Sequence, residues 1–175
     1  MLGSLRPMSE IADHQSAKRA VGTASVAVPV IVGLGFLIGW LSNSGYGNPW
    51  FDKLAKPAAM PPGWAFGVTW TILYILMGLA LALIVGADSH RRRGAILLFL
   101  AQLVLNYSWS PIFFGFQHIE IGLAVILAVL LITGATAIAF AKIRPLAGWL
   151  LAPYLAWLCF ATYLNFEIWR LNSPA

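Results

Sequence analysis

Of the 175 residues, 60% are apolar and 10% charged, with a formal net charge of +5. A soluble domain carries about 25% charged residues, so this composition excludes an ordinary water-soluble globule. The basic balance does not point to nucleic acid either, because Lys and Arg stand in short clusters between long apolar runs, as in the loops of a membrane protein.

Residues 1–23 are polar and of mixed charge, with Arg6, Glu10, Asp13, Lys18 and Arg19, and read as a flexible N-terminal tail. The apolar run behind them is too long for a cleavable signal and lacks a clear A-x-A site, so it reads as an uncleaved first span. Charged positions leave five uncharged stretches, at 20–51, 57–87, 94–119, 121–141 and 145–166. Each exceeds the roughly 20 residues that cross about 30 Å of hydrocarbon as a helix. Lipid supplies no partner for backbone N–H and C=O groups, and the runs lack the polar alternation of barrel strands. The predicted fold is therefore all-α and integral to the membrane, a five-transmembrane-helix bundle over residues 24–172. Its spans are expected at about 24–44, 64–86, 94–114, 119–141 and 146–169.

Short loops force neighbouring spans to run antiparallel. The side that holds the N-terminus then collects Arg6, Lys18, Arg19, Arg91, Arg92, Arg93, Lys142 and Arg144, against Lys53, Lys56 and Arg170 on the other. Loops rich in Lys and Arg stay in the cytoplasm, which predicts a cytoplasmic N-terminus.

The connection between the first two spans runs from Ser44 to Gly63 and contains four prolines and three glycines, so no continuous helix fits. Trp50, Phe51, Leu54 and Met60 make it too apolar for a free linker. Two readings stand side by side: a lid over a binding site, or a membrane-surface loop anchored by aromatics.

Within the spans, aromatic and amide residues recur at helical spacing. Phe66, Trp70 and Tyr74 stack three rings on one face of the second span. Gln102, Asn106 and Trp109 with Ser110 make a polar and aromatic face on the third. Trp149, Pro153 and Trp157 form a stripe on the fifth, continued by Ala161 and Asn165. Amides are unfavourable in hydrocarbon without partners, so Gln102, Asn106 and Asn165 should point inward. There they either join neighbouring helices or orient a ligand in an apolar pocket.

No catalytic constellation stands out. His14, His90 and His118 fall in the tail or in loops without a second ligand at metal spacing, and the six acids are scattered. Glu167 is expected to pair with Arg170 at i+3. The single cysteine, Cys159, is expected to be a buried packing residue.

Three motifs resemble the translocator protein family, also called tryptophan-rich sensory proteins or peripheral benzodiazepine receptors, over about residues 26–172. The first is Trp50-Phe51-x-x-Leu54-x-Lys56-Pro57 with Pro61-Pro62-Gly63-Trp64 and Trp70-Thr71-x-Leu73-Tyr74. The second is Leu105-Asn106-x-x-Trp109-Ser110-Pro111-x-Phe113-Phe114-Gly115. The third is Pro153-Tyr154-Leu155-Ala156-Trp157, ending in Leu164-Asn165-Phe166-x-x-Trp169-Arg170-x-Asn172.

The resemblance implies a homodimer of five-helix bundles, each with a pocket closed by the first loop. Members bind porphyrins and haem-pathway tetrapyrroles, sterols, and drug-like ligands such as isoquinoline carboxamides and benzodiazepines. Carried over by position, the ligand-binding residues are Trp70, Tyr74, Asn106, Trp109, Tyr154 and Trp157, with Ala161 behind them. The lid is Trp50, Lys56, Pro57, Pro61, Pro62 and Trp64. For a ligand with carboxylates, Lys53 and Lys56 at the loop are the nearest counter-charges, beside the alternative that they are solvated surface lysines. No cofactor is obligatory; a porphyrin or haem-pathway tetrapyrrole is the ligand, and the expected surroundings are membrane lipid, with no nucleic acid.

The chain also departs from the family pattern. Ala59 stands where an aromatic is common, Phe166 and Glu167 replace the central tyrosine of the animal sterol-recognition stretch, and Leu97 and Ala101 replace a close-packing small-residue pair. The missing tyrosine points to a bacterial rather than an animal member. Three functions follow from the resemblance: a receptor or sensor that binds, sequesters or transports tetrapyrroles, a light-dependent porphyrin-degrading enzyme, or a scaffold with a vestigial pocket.

Overall fold

The computed structural model describes residues 8–173, which contain helices and no strand. In chain order they are α1 (Met8–Leu41), a short α2 (Pro49–Lys53), α3 (Gly63–Gly86), α4 (Arg92–Ser110), α5 (Ile119–Ala141), a short α6 (Pro145–Trp149) and α7 (Ala152–Asn172). A single π turn, Pro111–Gly115, continues α4. Five segments, His14–Leu41, Gly63–Gly86, Arg92–Gly115, Ile119–Ala141 and Pro145–Asn172, are long and apolar enough to cross a bilayer. This is the five-helix membrane bundle that the charge-free runs predict.

Two local differences from the sequence reading have physical causes. Residues 8–23, expected as a flexible tail, are already helical, and Ser16 Oγ on this extension donates to the Gly86 carbonyl at 2.7 Å. A polar sequence remains helical here because α3 docks along it: a Cβ at Gly86 would lie 2.7 Å from the Ser16 carbonyl oxygen. Residues 1–7 lie outside the described residues. The fifth span is two helices, not one. Pro153 has no N–H for the carbonyl four residues earlier, and the chain breaks between Trp149 and Ala152.

The helix α1 ends in a Schellman motif: Ser44 N donates to Gly39 O at 2.9 Å and Asn43 N to Trp40 O at 3.0 Å, with Asn43 left-handed at φ 49°. Asn is among the few residues that adopt this conformation without glycine's freedom. α1 packs against α3, α4 against α5, and α5 also against α6 and α7. The core contains Met77, Phe99, Phe140, Leu151 and Leu158, all fully buried, with Phe99 and Phe140 stacked at 5.8 Å. Leu97, Val104, Leu131 and Ile138 face outward. Exposure of such side chains opposes folding in water, but hydrocarbon solvates them as well as the core does.

Cys159, expected inside, lies on the outer surface of α7. Glu167 and Arg170 form the expected pair, with Nη2 to Oε2 at 2.7 Å and Nε to Oε1 at 3.2 Å. At an exposed position such a pair contributes little to stability.

The topology brings the α1 start, the α3 end and the α5–α6 junction to one face. Ser16 meets Gly86 there, and Arg144 reaches Ser16 Oγ at 3.5 Å. The first loop and the end of α7 lie together at the opposite face.

Candidate functional site

At the first-loop end the helices diverge around a cavity of about 520 Å3. α3 contributes Phe66, Gly67, Trp70 and Tyr74, the face that their spacing predicted. α4 and its π turn contribute Asn106, Trp109, Ser110, Phe113 and Phe114; α7 contributes Trp157, Leu158, Ala161 and Asn165. The α1 wall is nearly bare, with Gly35 and Gly39 beside Phe36 and Trp40. The Tyr74 ring fills the space that a side chain at Gly35 would need.

Rings meet around this space in edge and offset contacts, the arrangements that aromatic quadrupoles favour. Trp70 lies 5.2 Å from Tyr74 and, nearly perpendicular, 6.5 Å from Trp157. Trp109 stacks on Phe113 at 4.9 Å with 16° between planes. The π turn makes this possible: Phe116 N bonds Pro111 O across five residues at 2.8 Å, and the widened turn buries both Phe113 and Phe114.

The polar groups form a directed chain. Tyr74 OH donates to Asn106 Oδ1 at 3.1 Å, Asn106 Nδ2 donates to Tyr154 OH at 2.8 Å, and Tyr154 OH donates to Gln102 Oε1 at 3.3 Å. Thr133 also reaches Gln102 Oε1, at 3.5 Å. Asn165 accepts from Trp109 Nε1 at 3.2 Å and donates to the Ile119 carbonyl at 3.2 Å. The buried amides therefore join helices, and Asn106 does so while lining the cavity. Its two tyrosine partners fix which way the amide points.

The loop forms a roof. Asn48 caps α2 by accepting from Trp50 N at 3.0 Å and Phe51 N at 3.2 Å, with Pro49 at the first helical position. Phe51 is 2% exposed, wedged between Phe113 and Phe114, and with Tyr46 and Met60 it faces the cavity. Tyr46 OH donates to Pro61 O at 3.2 Å, and Asn172 at the end of α7 holds the backbone of Ala55.

Six of the seven residues expected to bind ligand, Trp70, Tyr74, Asn106, Trp109, Trp157 and Ala161, share this cavity wall. Tyr154 stands behind the wall, fully buried, and backs two of its members, bonding Asn106 and packing edge-on against Trp70. Of the expected lid residues, Trp50 packs edge-on to Phe113, Pro57 is buried in the roof, and Pro61 holds Tyr46. Pro62 occupies the position before α3, and Trp64 points outward at 73% exposure. Lys56 is no free counter-charge. Its Nζ donates to the carbonyls of Phe51 at 2.7 Å and Leu54 at 3.1 Å and sits 4.6 Å from the Phe51 ring centroid, closing the end of α2. Lys53 is exposed on the outer side of the loop and lines no part of the cavity.

Trp149 and Pro153 also leave the predicted stripe, because the α6–α7 break turns Trp149 outward at 75% exposure. The sequence reading missed Gly35, Gly39, Tyr46 and the roof-holding role of Asn172. Asn48-Pro49, a cap residue before a proline, was a legible signal for α2.

A profile of the TspO/MBR family matches residues 25–170. The chain is 38% identical over 152 residues to a tryptophan-rich protein TspO of Chlorobaculum tepidum, covering 84% of this chain and 96% of that one. It is 42% identical over 125 residues to a tryptophan-rich sensory protein of Cereibacter sphaeroides, with 71% and 78% covered. It is 39% identical over 142 residues to the translocator protein of Homo sapiens, with 79% and 84% covered.

Proposed function

The chain belongs to the TspO/MBR family, and from that premise we propose that it is a membrane receptor or sensor that binds a porphyrin or related tetrapyrrole in the aromatic cavity. The observation that carries this reading is the convergence of Trp70, Trp109 and Trp157, with the oriented amide of Asn106, on one space of about 520 Å3. Small-molecule sites span about 300–1,000 Å3 and combine apolar walls with a few placed polar groups. Three indoles offer planar surfaces to a flat macrocycle, and the Asn106 amide offers a hydrogen bond at its edge.

In the same reading the protein lies in a bacterial membrane with its N-terminus in the cytoplasm. The cationic positions around Arg91, Lys142 and Arg144 share the face on which α1 begins.

The test is titration of protoporphyrin into the purified protein, followed by tryptophan quenching. Saturable, reversible quenching with an unchanged porphyrin spectrum under illumination supports a binding protein. A new absorbing product that requires light supports a degrading enzyme instead, and the lack of any saturable signal removes the reading.

A further inference from the structure

The α1–α3 pair is closed at one end and open at the other. At Gly86 a Cβ would lie 2.7 Å from the Ser16 carbonyl oxygen, and at Gly78 it would lie 2.9 Å from the Val28 Cα, so the two backbones touch. At Gly35 the Tyr74 ring still fills the gap. One turn on, the pair has parted. Gly39 and Gly67 both line the cavity, and a Cβ on either would meet nothing within 4 Å. Exposed rings flank this gap: Trp40 at 77%, Trp64 at 73% and Phe36 at 48%.

The depth of the gap is fixed by the chain. Gly39 lies in the last turn of α1 and Gly67 in the first turns of α3. Outward-facing tryptophans at span ends sit at the level of the lipid headgroups. The roof above is fastened at four points, by Asn172 to Ala55, Lys56 to the end of α2, Tyr46 to Pro61, and Phe51 between two phenylalanines.

We propose that the gap between Gly39 and Gly67 is a lateral portal through which ligand passes between the headgroup layer and the cavity while the roof stays closed. This rests on the binding reading above and narrows its ligand class. A molecule that waits at headgroup depth has an apolar body and a polar or charged edge, and it slides in body first between two helices that carry no side chain there. Its polar edge remains near the interface until it meets the cavity's own polar groups.

The test uses the full chain in phospholipid nanodiscs, with protoporphyrin as probe and stopped-flow tryptophan quenching as readout. Gly39→Leu and Gly67→Leu place a side chain in the gap from positions where a Cβ meets nothing within 4 Å, and leucine is also the better helix former. Each is expected to slow association and dissociation together by tenfold or more. Gly134→Leu, at an α5 position with equally open space but outside the cavity wall, should leave both rates unchanged. Parental rates in both portal variants overturn the portal and leave the binding reading intact. The same result follows if Gly134→Leu slows binding as much as they do. A parent protein with no saturable quenching overturns the binding reading, and the portal with it.

Discussion

Asn172 holds Ala55 at both of its backbone groups: Oδ1 accepts from Ala55 N at 2.9 Å and Nδ2 donates to Ala55 O at 3.0 Å. The residues are 117 positions apart, and the pair fastens the roof to the end of α7. A third bond, from Nδ2 to the Ile168 carbonyl at 2.7 Å, fixes the side chain on its own helix.

Replacing Asn172 with Ala should therefore loosen the roof. Two partly solvated hydrogen bonds contribute about 1 kcal/mol each, so dissociation of bound porphyrin should accelerate by roughly 5- to 30-fold. Stopped-flow displacement measures this rate. An unchanged dissociation rate in a folded variant would mean that the roof does not retain ligand.

Loss of an indole should act on affinity. Trp70→Phe and Trp157→Phe remove stacking area while keeping an apolar ring, and each should weaken protoporphyrin binding by about 1–2 kcal/mol, or about 5–30-fold. Lys56→Ala should behave differently from a lost counter-charge, because its ammonium is engaged by the carbonyls of α2. Its effect should change little between low and high salt. Quenching titrations at two ionic strengths separate the two cases.

Tyr154 tests the interior chain. Tyr154→Phe removes the group that accepts from Asn106 and donates to Gln102, and leaves both buried amides short of a partner. In bilayer proteins such bonds are worth about 0.6–1.7 kcal/mol each, so thermal stability in detergent should fall by several degrees. Porphyrin affinity should fall as well, since Asn106 is then held by Tyr74 alone. An unshifted melting curve would show that the chain contributes nothing.

Gly35 tests the packing of the wall. Gly35→Leu would drive the Tyr74 ring from its place and break its bond to Asn106. Saturable quenching should be lost while the circular dichroism remains helical. Parental binding in this variant would place the ligand elsewhere.

Sidedness can be read with an impermeant thiol reagent on intact cells, in a Cys159→Ser background. Ser44→Cys, beside the roof, should label, and Ser89→Cys, beside Arg91, should not. The reverse pattern would invert the orientation.

Much of this protein was legible in its sequence because a bilayer is a severe solvent. Backbone groups in hydrocarbon must bond within their own segment, so five charge-free runs had to become helices, and their 3.6-residue period placed Phe66, Trp70 and Tyr74 on one face. The amides of Asn106 and Asn165 had to point inward for the same reason. Hydrophobic patterning could not tell which apolar side chains face lipid and which face the cavity, since both environments are equally apolar. Only the packing of helices decided that Trp157 lines the cavity while Trp64 and Trp149 face outward, and that Cys159 lies on the outer surface. A long-range contact likewise decided that Asn172 holds a loop 117 residues away. Such roles depend on where two distant backbones meet, which no local pattern in the chain encodes.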